Sequence, residues 1–225
     1  MSNVALILGA GSGTRMKIDK SKLLLEVMGK TVLERSVEAF LEVEDIDEVI
    51  VTAREQDIDE FSRLIDSERV SFVIGGATRQ QSVKNAVDTV DDAELIVIHD
   101  GARPFIRKED IINTLDAART FGAAAVGVPV KDTIKVIEGD SFVVDTPDRS
   151  TLFAVQTPQI FDFKLYKSAL SKAEQDRRDF TDDCQLIEYV GGKVKMVTGD
   201  YTNIKITTPD DAVLADNIIL NRIRR

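Results

Sequence analysis

Five short apolar segments rich in β-branched residues, Val4–Leu8, Val49–Thr52, Val70–Ile74, Leu95–Ile98 and Ala123–Val128, alternate along this chain with segments of helical period. Continuous apolar runs of this kind suit strands covered on both faces, not a sheet with one wet side. Between them, Thr31–Val43 opens with Thr-x-x-Glu, a capping box that satisfies free backbone N–H groups, and carries Val32, Leu33, Ser36, Val37 and Phe40 at helical spacing. Glu55–Ile65, Arg79–Val90 and Lys108–Phe121 read as helices too. The β-α-β-α order implies right-handed crossovers and an α/β, doubly wound, mostly parallel sheet, whose ligands gather at the carboxyl ends of the strands.

After Val130 the rhythm breaks. Lys131–Leu152 carries two short β-like stretches, Thr133–Ile137 and Ser141–Val144, around Glu138-Gly139-Asp140. An extended hairpin arm over about residues 131–152 is expected; having little core of its own, it serves as a lid or as a grip on a second subunit. The regular pattern resumes with helices near Phe163–Glu174 and Asp182–Val190 and a strand at Lys193–Val197. A last helix begins at Thr208-Pro209-Asp210-Asp211, with Thr208 as N-cap and Pro209 in the first turn. No repeat or linker divides the 225 residues, so one domain over 1–225 with the arm as an excursion is expected.

Charge and composition narrow the partners. With 29 Lys+Arg against 39 Asp+Glu the net charge is −10, which repels polyanions, so neither nucleic acid nor an anionic membrane is an expected partner. The longest apolar runs, Leu95–Ile98 and Gly122–Val130, fall short of the roughly 20 residues of a bilayer span. Met1–Leu8 lacks the charged start and cleavage site of a secretory leader, and a cytoplasmic protein is expected. One cysteine, Cys184, and one histidine, His99, cannot assemble a Cys/His metal centre. Both are expected to be packed residues without a catalytic role.

The first strand runs straight into Gly9-Ala10-Gly11-Ser12-Gly13-Thr14-Arg15-Met16. Glycines there let the backbone approach a ligand and turn N–H groups towards phosphate oxygens. A dinucleotide fingerprint needs a third glycine where Thr14 stands, and a Walker loop needs Lys and then Ser or Thr where Arg15 and Met16 stand. What remains is a glycine loop closed by an arginine and followed by Lys17, Lys20 and Lys22, which serves either as a phosphate cradle or as a plain strand-to-helix turn. The strand at Leu95–Ile98 ends in His99-Asp100-Gly101-Ala102-Arg103-Pro104, placing Asp100 where it can hold Mg²⁺ on a nucleotide's phosphates or simply form an Asp-Gly turn. Gly75-Gly76-Ala77-Thr78-Arg79-Gln80-Gln81-Ser82 follows another strand and opens a helix, and offers backbone and hydroxyl contacts to a base.

Taken in order, GSGTRM with Lys22, Gly-Gly with Arg79 and Ser82, HDGARPF, PVKDTIK, Gln156-Thr157-Pro158-Gln159, Thr181-Asp182-Asp183 and Asn203-Ile204-Lys205-Ile206-Thr207-Thr208-Pro209 resemble the 2-C-methyl-D-erythritol 4-phosphate cytidylyltransferase family over nearly the whole chain. The resemblance implies a Rossmann-like nucleotidyltransferase fold and transfer of CMP from CTP to the polyol phosphate, a step of isoprenoid precursor synthesis. By it, Arg15, Lys22 and Lys205 act on the reacting phosphates, while Ala10, Gly11, Gly13, Gly76, Ser82 and Asp100 bind CTP. Gly76 and Ser82 read the cytosine, and Asp100 also holds Mg²⁺, the implied cofactor. The arm makes a homodimer in which Thr133 and Arg149 complete the partner's sugar-phosphate site.

Three positions depart from the family pattern. Leu8-Gly9-Ala10 replaces a frequent Pro-Ala-Ala, Ala77 a common acidic residue after Gly-Gly, and Cys184 a usual alanine. Leu8-Gly9 and Cys184 lean towards the ribitol 5-phosphate cytidylyltransferases, whereas HDGARPF and PVKDTIK lean towards the methylerythritol enzymes, the reading preferred here. Uridylyl transfer and non-catalytic nucleotide sensing are further alternatives, separated by turnover with CTP against UTP and by pyrophosphate release.

Overall fold

A computed structural model describes residues 2–11 and 21–223 of the chain. The strands are β1 (Asn3–Leu8), β2 (Glu26–Val27), β3 (Lys30–Thr31), β4 (Glu48–Ala53), β5 (Val70–Ile74), β6 (Leu95–Asp100), β7 (Ala123–Pro129), β8 (Val136–Glu138), β9 (Phe142–Asp145), β10 (Phe153–Asp162) and β11 (Lys195–Thr198). The α-helices are α1 (Val32–Leu41), α2 (Ile58–Leu64), α3 (Arg79–Val87), α4 (Lys108–Phe121), α5 (Phe163–Gln175), α6 (Asp183–Tyr189) and α7 (Pro209–Ile223).

Seven strands form one sheet in the order β11-β7-β10-β6-β1-β4-β5, in which β10 runs antiparallel to both of its neighbours and the other pairs are parallel. Alternation along β1 shows why both faces are covered. Ala5 and Ile7 join a core with Val32, Leu33, Phe40, Phe61 and Leu115, whereas Val4 and Leu6 join a second core with Val83, Ala86, Tyr166 and Ile187. Side chains of period two thus feed two helical layers, α1, α2, α4 and α7 on one face and α3, α5 and α6 on the other. The expected doubly wound, mostly parallel sheet is the observed one. No helix among the described residues is long and apolar enough to cross a membrane.

Local chemistry sets the helix starts. Thr31 Oγ1 accepts from the Glu34 N–H at 3.2 Å, and the Glu34 carboxylate accepts from the Thr31 N–H at 2.7 Å, closing the expected capping box. α7 starts at Pro209, directly after Thr208; the backbone N–H groups of Thr207 and Thr208 both donate to the Asp211 carboxylate at 2.8 Å, and the Asp211 N–H donates to the Thr208 carbonyl at 3.2 Å. Glu55–Ile65 divides into a 3₁₀ turn, Glu55–Asp57, and α2.

The sheet also holds a strand that the periodicity does not announce. β10 lies between β7 and β6 although it carries Gln156-Thr157-Pro158-Gln159, polar residues and a proline that argue against a central strand. The register shifts between Val155 and Gln159, and that irregularity is where Pro158 is accommodated. In the arm, β8 and β9 pair antiparallel as a separate two-stranded ribbon, beginning three residues and one residue later than the sequence suggests. Both strands are fully exposed, so no buried face marks their limits.

Candidate active site

The register of the sheet assembles the site. Leu8 stands opposite Thr52 on β4 and opposite Asp100 on β6, which brings three strand ends level at the carboxyl edge. A cleft of about 530 Å³ opens there, lined among others by Ala10, Gly11, Lys22, Arg79, Asp100 and Lys205. Gly9 and Gly75 let the loops converge. A Cβ on Gly9 would stand 2.6 Å from the Thr52 carbonyl, and one on Gly75 would stand 2.2 Å from the Ala10 Cβ, so any side chain at either place forces the strand ends apart.

Asp100 is the electrostatic centre. Its Oδ2 lies 2.8 Å from Lys205 Nζ and 3.5 Å from Arg103 Nε, and its Oδ1 lies 3.9 Å from Arg79 Nε. Burial alone would favour the neutral acid, but Lys205, Arg79 and Arg103 outweigh it and hold the carboxyl well below the usual carboxylate range. Arg79 is itself fixed from behind: its Nη1 lies 2.5 Å from the fully buried Asp183, whose Oδ1 accepts from Tyr166 Oη at 2.6 Å. Burial works against the Arg79 charge, and Asp183 with Asp100 more than restores it.

Lys22 sits in a 3₁₀ turn, Lys22–Leu24, started by Ser21, whose hydroxyl accepts from the Leu23 N–H. Its Nζ donates to the Ile206 carbonyl at 3.0 Å, so the two ammonium groups of Lys22 and Lys205 approach the cleft from one short segment of wall. That segment is clamped. The buried Asn203 amide donates to Gln156 Oε1 at 3.1 Å and to the Thr157 carbonyl at 3.0 Å, and the Asn203 carbonyl accepts from Arg103 at 2.8 Å. On the opposite wall the Gly76 N–H donates to Ser82 Oγ at 3.0 Å, and the Ser82 hydroxyl donates to the Thr78 carbonyl at 2.9 Å.

Of the residues singled out from the sequence, Ala10, Gly11, Lys22, Gly76, Ser82, Asp100 and Lys205 line this one cleft. Gly13 and Arg15 lie outside the described residues. Thr133 and Arg149 stand apart on the arm and do not appear in the cleft wall of their own chain, where Arg149 Nη1 donates to the Lys131 carbonyl at 3.0 Å. Asp200 pairs with Arg107 at 3.1 Å. Sequence inspection gave no role to Arg79 or Arg103; each meets Asp100 only across the fold or its turn, and the arginines in GG-x-x-R and HDGAR were the available signals.

His99 is fully buried, tilted against Phe40 with ring centroids 4.8 Å apart. Burial pushes its pKa down to about 4, so the imidazole is neutral near pH 7. Cys184 is buried and free, and burial among Asp182 and Asp183 pushes its thiol up, away from the reactive thiolate. Neither residue reaches the cleft lining, as expected for packed side chains.

Among the described residues no three of His, Cys, Asp and Glu gather as a metal cage. Asp100 is the one carboxylate among the described residues of the cleft lining, and the ion pair described for its Oδ1 is a long one, 3.9 Å to Arg79. Mg²⁺ is commonly held by one or two carboxylates, substrate phosphates and water. This donor set therefore fits an ion that arrives with a polyphosphate.

A glycine loop, three cations around a charged aspartate and a cleft at the carboxyl edge of a doubly wound sheet define the class: an α/β protein built to take a phosphorylated nucleotide. The comparisons narrow it. The family model described as 2-C-methyl-D-erythritol 4-phosphate cytidylyltransferase matches residues 3–221, and the chain belongs to that family. A relative of the same name from Caldanaerobacter subterraneus is 46% identical over 222 residues, covering 96% of this chain and 98% of its own. One from Clostridium perfringens is 43% identical over 220 residues, with coverage of 96% and 98%. Among solved structures, a 4-diphosphocytidyl-2C-methyl-D-erythritol synthase from Anaerococcus prevotii superposes with a TM-score of 0.88 at 36% identity, covering 97% of this chain and 96% of that one. The Thermus thermophilus cytidylyltransferase gives 0.80 at 33% identity, with coverage of 97% and 98%.

Proposed function

We propose that the protein transfers CMP from CTP to 2-C-methyl-D-erythritol 4-phosphate, releasing pyrophosphate, as a step of isoprenoid precursor synthesis in the cytoplasm. The observation that carries this reading is the meeting of Lys22, Lys205, Arg79 and Asp100 in one cleft of a chain of this family. The phosphate monoester oxygen attacks the α-phosphorus in line, one P–O bond forms, and the bond to the bridging oxygen breaks with its electron pair leaving on pyrophosphate. An anionic nucleophile needs no general base, so catalysis rests on positioning and on charge stabilisation. Lys22 and Lys205, with Arg15, serve the reacting phosphates. Gly76 and Ser82 face the base. The Gly76 N–H donates to Ser82 Oγ, and the Ser82 hydroxyl donates to the Thr78 carbonyl at 2.9 Å and lies 3.5 Å from the Gly76 carbonyl, so what these two residues offer cytosine is the remaining acceptor capacity of the Ser82 oxygen and the Gly76 carbonyl. Asp100 would hold Mg²⁺, which when bound neutralises triphosphate charge.

Incubation with Mg²⁺, CTP or UTP, and either polyol phosphate tests the reading. Pyrophosphate release with CTP and methylerythritol phosphate is expected; faster turnover of ribitol 5-phosphate or of UTP would overturn it.

The arm is assigned to a second copy of the chain. Ile137, Phe142, Val143 and Val144 are exposed on it, apolar surface of a kind that marks an association site. In the dimer Thr133 and Arg149 serve the neighbour's sugar phosphate, a guanidinium suiting it through two parallel charge-assisted hydrogen bonds. Mixing inactive Arg149→Ala with inactive Lys22→Ala is then expected to restore activity, because a heterodimer assembles one site with both native residues. Mass spectrometry of the mixture establishes subunit exchange. Exchanged heterodimers that stay inactive would place Arg149 in the service of its own chain.

A further inference from the structure

Two residues absent from the cleft wall hold it in shape. The Asp100 N–H donates to Thr157 Oγ1 at 3.0 Å, and Thr157 Oγ1 lies 3.1 Å from His99 Nδ1. On the far side of the ring, His99 Nε2 lies 3.0 Å from the Arg103 carbonyl. A carbonyl only accepts, so Nε2 carries the proton; Nδ1 of the neutral ring is then an acceptor, and the Thr157 hydroxyl donates to it while accepting from Asp100. The donors run in one direction, Asp100 N–H to Thr157, Thr157 O–H to His99, His99 Nε2–H to Arg103, and none is left over. Because Asn203 binds the Thr157 carbonyl and Arg103 binds the Asn203 carbonyl, the same knot also sets the segment that carries Lys205.

We infer that His99, acting through Thr157, is a positioning residue for the transfer reaction: the imidazole locks the Asp100–Arg103 turn to β10 and so fixes the carboxylate that orders Lys205 and Arg79. The inference rests on the functional reading above. Thr157→Val keeps the side-chain shape and removes the hydroxyl, leaving the Asp100 N–H and Nδ1 unpaired. His99→Phe keeps an apolar ring against Phe40 and removes both nitrogens.

The expected result is a fall in kcat of roughly 10- to 100-fold for each variant, the cost of a small misplacement of reacting groups, with the KM for CTP changed by less than about threefold. Thr157→Ser restores kcat, since it returns the hydroxyl. The double variant Thr157→Val/His99→Phe is no slower than the slower single, as two links of one chain require. Equal kcat for Thr157→Val and wild type, or multiplicative losses in the double variant, would overturn the inference. The native enzyme offers a readout that needs no variant to fold and no turnover. The chain has a single histidine, so its nitrogen-15 spectrum reports this ring alone. A proton on Nε2 and a bare Nδ1 are expected, and a proton on Nδ1 would remove the chain of donors. Absence of turnover in the native enzyme would instead strike at the assigned reaction, while the ring spectrum would still decide the hydrogen-bond chain.

Discussion

Lys22→Ala is expected to lower kcat about a hundredfold, equivalent to about 3 kcal/mol, while CTP binding weakens far less. The ammonium is held against the Ile206 carbonyl at 3.0 Å and lines the cleft, so it is in place before the ligand arrives and costs little reorganisation when negative charge develops on the leaving oxygen. Alanine removes that preset charge without opening a core cavity. Steady-state kinetics at saturating polyol phosphate, with CTP affinity measured separately by calorimetry, checks the split between binding and turnover. Near-native turnover at saturating CTP would remove Lys22 from the chemistry. Arg15→Ala is expected to behave alike, from its place closing the glycine loop in the sequence.

The second large effect belongs to Asp100. Asp100→Asn preserves volume but removes the charge that pairs with Lys205 and Arg103 and that adds to Asp183 in balancing Arg79, and with it the proposed oxygen ligand for Mg²⁺. CTP binding is expected to lose its dependence on Mg²⁺ while the far-ultraviolet circular dichroism stays native. Calorimetric titration with CTP in the presence and absence of the metal decides between the two duties. If metal dependence survives and only turnover collapses, Asp100 acts as a counter-ion and not as a ligand. Protonation does not mimic the substitution at ordinary assay pH, because the three cations keep the carboxylate charged well into acid. Its depressed pKa adds stability that is present above the ordinary carboxylate range and is lost only as pH falls through the folded value.

Much of the scaffold could be read from the chain because its signals are local. The β1, β4, β5, β6 and β7 runs are apolar on both faces, and the Thr31–Glu34 box marks its helix by chemistry within four residues. β10 escaped because the very residues that tie the site together, Gln156, Thr157 and Gln159, dilute its apolar pattern, and Pro158 signals a break. Its polar side chains are buried and, apart from the Gln159 bond to the Gln156 carbonyl, their hydrogen-bond partners lie 23 to 58 residues away, as for Gln159 with Asp182 and Thr157 with His99, and no short window contains both halves of such a pair. The cleft follows the same division. Glycine loops and the HDGAR turn are visible as motifs, whereas the contacts of Asp100 with Arg79 and Lys205 exist only once β6, α3 and the segment before α7 have converged. In the arm the opposite holds, since exposed strands leave no burial rhythm to set their ends.

The late placement of β10 has a bearing on how the chain is made. A ribosome delivers β6 and β7 before the strand that joins them, so until β10 has emerged the sheet order leaves β7 with no strand to link it to β6-β1-β4-β5. Each piece then shows an apolar strand with an unpaired edge, the surface on which unfinished chains stick to one another and which chaperones cover. Ligand cannot help at that stage, because Lys205, which pairs with Asp100 in the finished cleft, is still unmade. Yield of native protein in the cell should therefore depend on the interval between synthesis of residues 123 and 162, and synonymous codons that slow elongation there should increase the insoluble fraction without altering the purified enzyme.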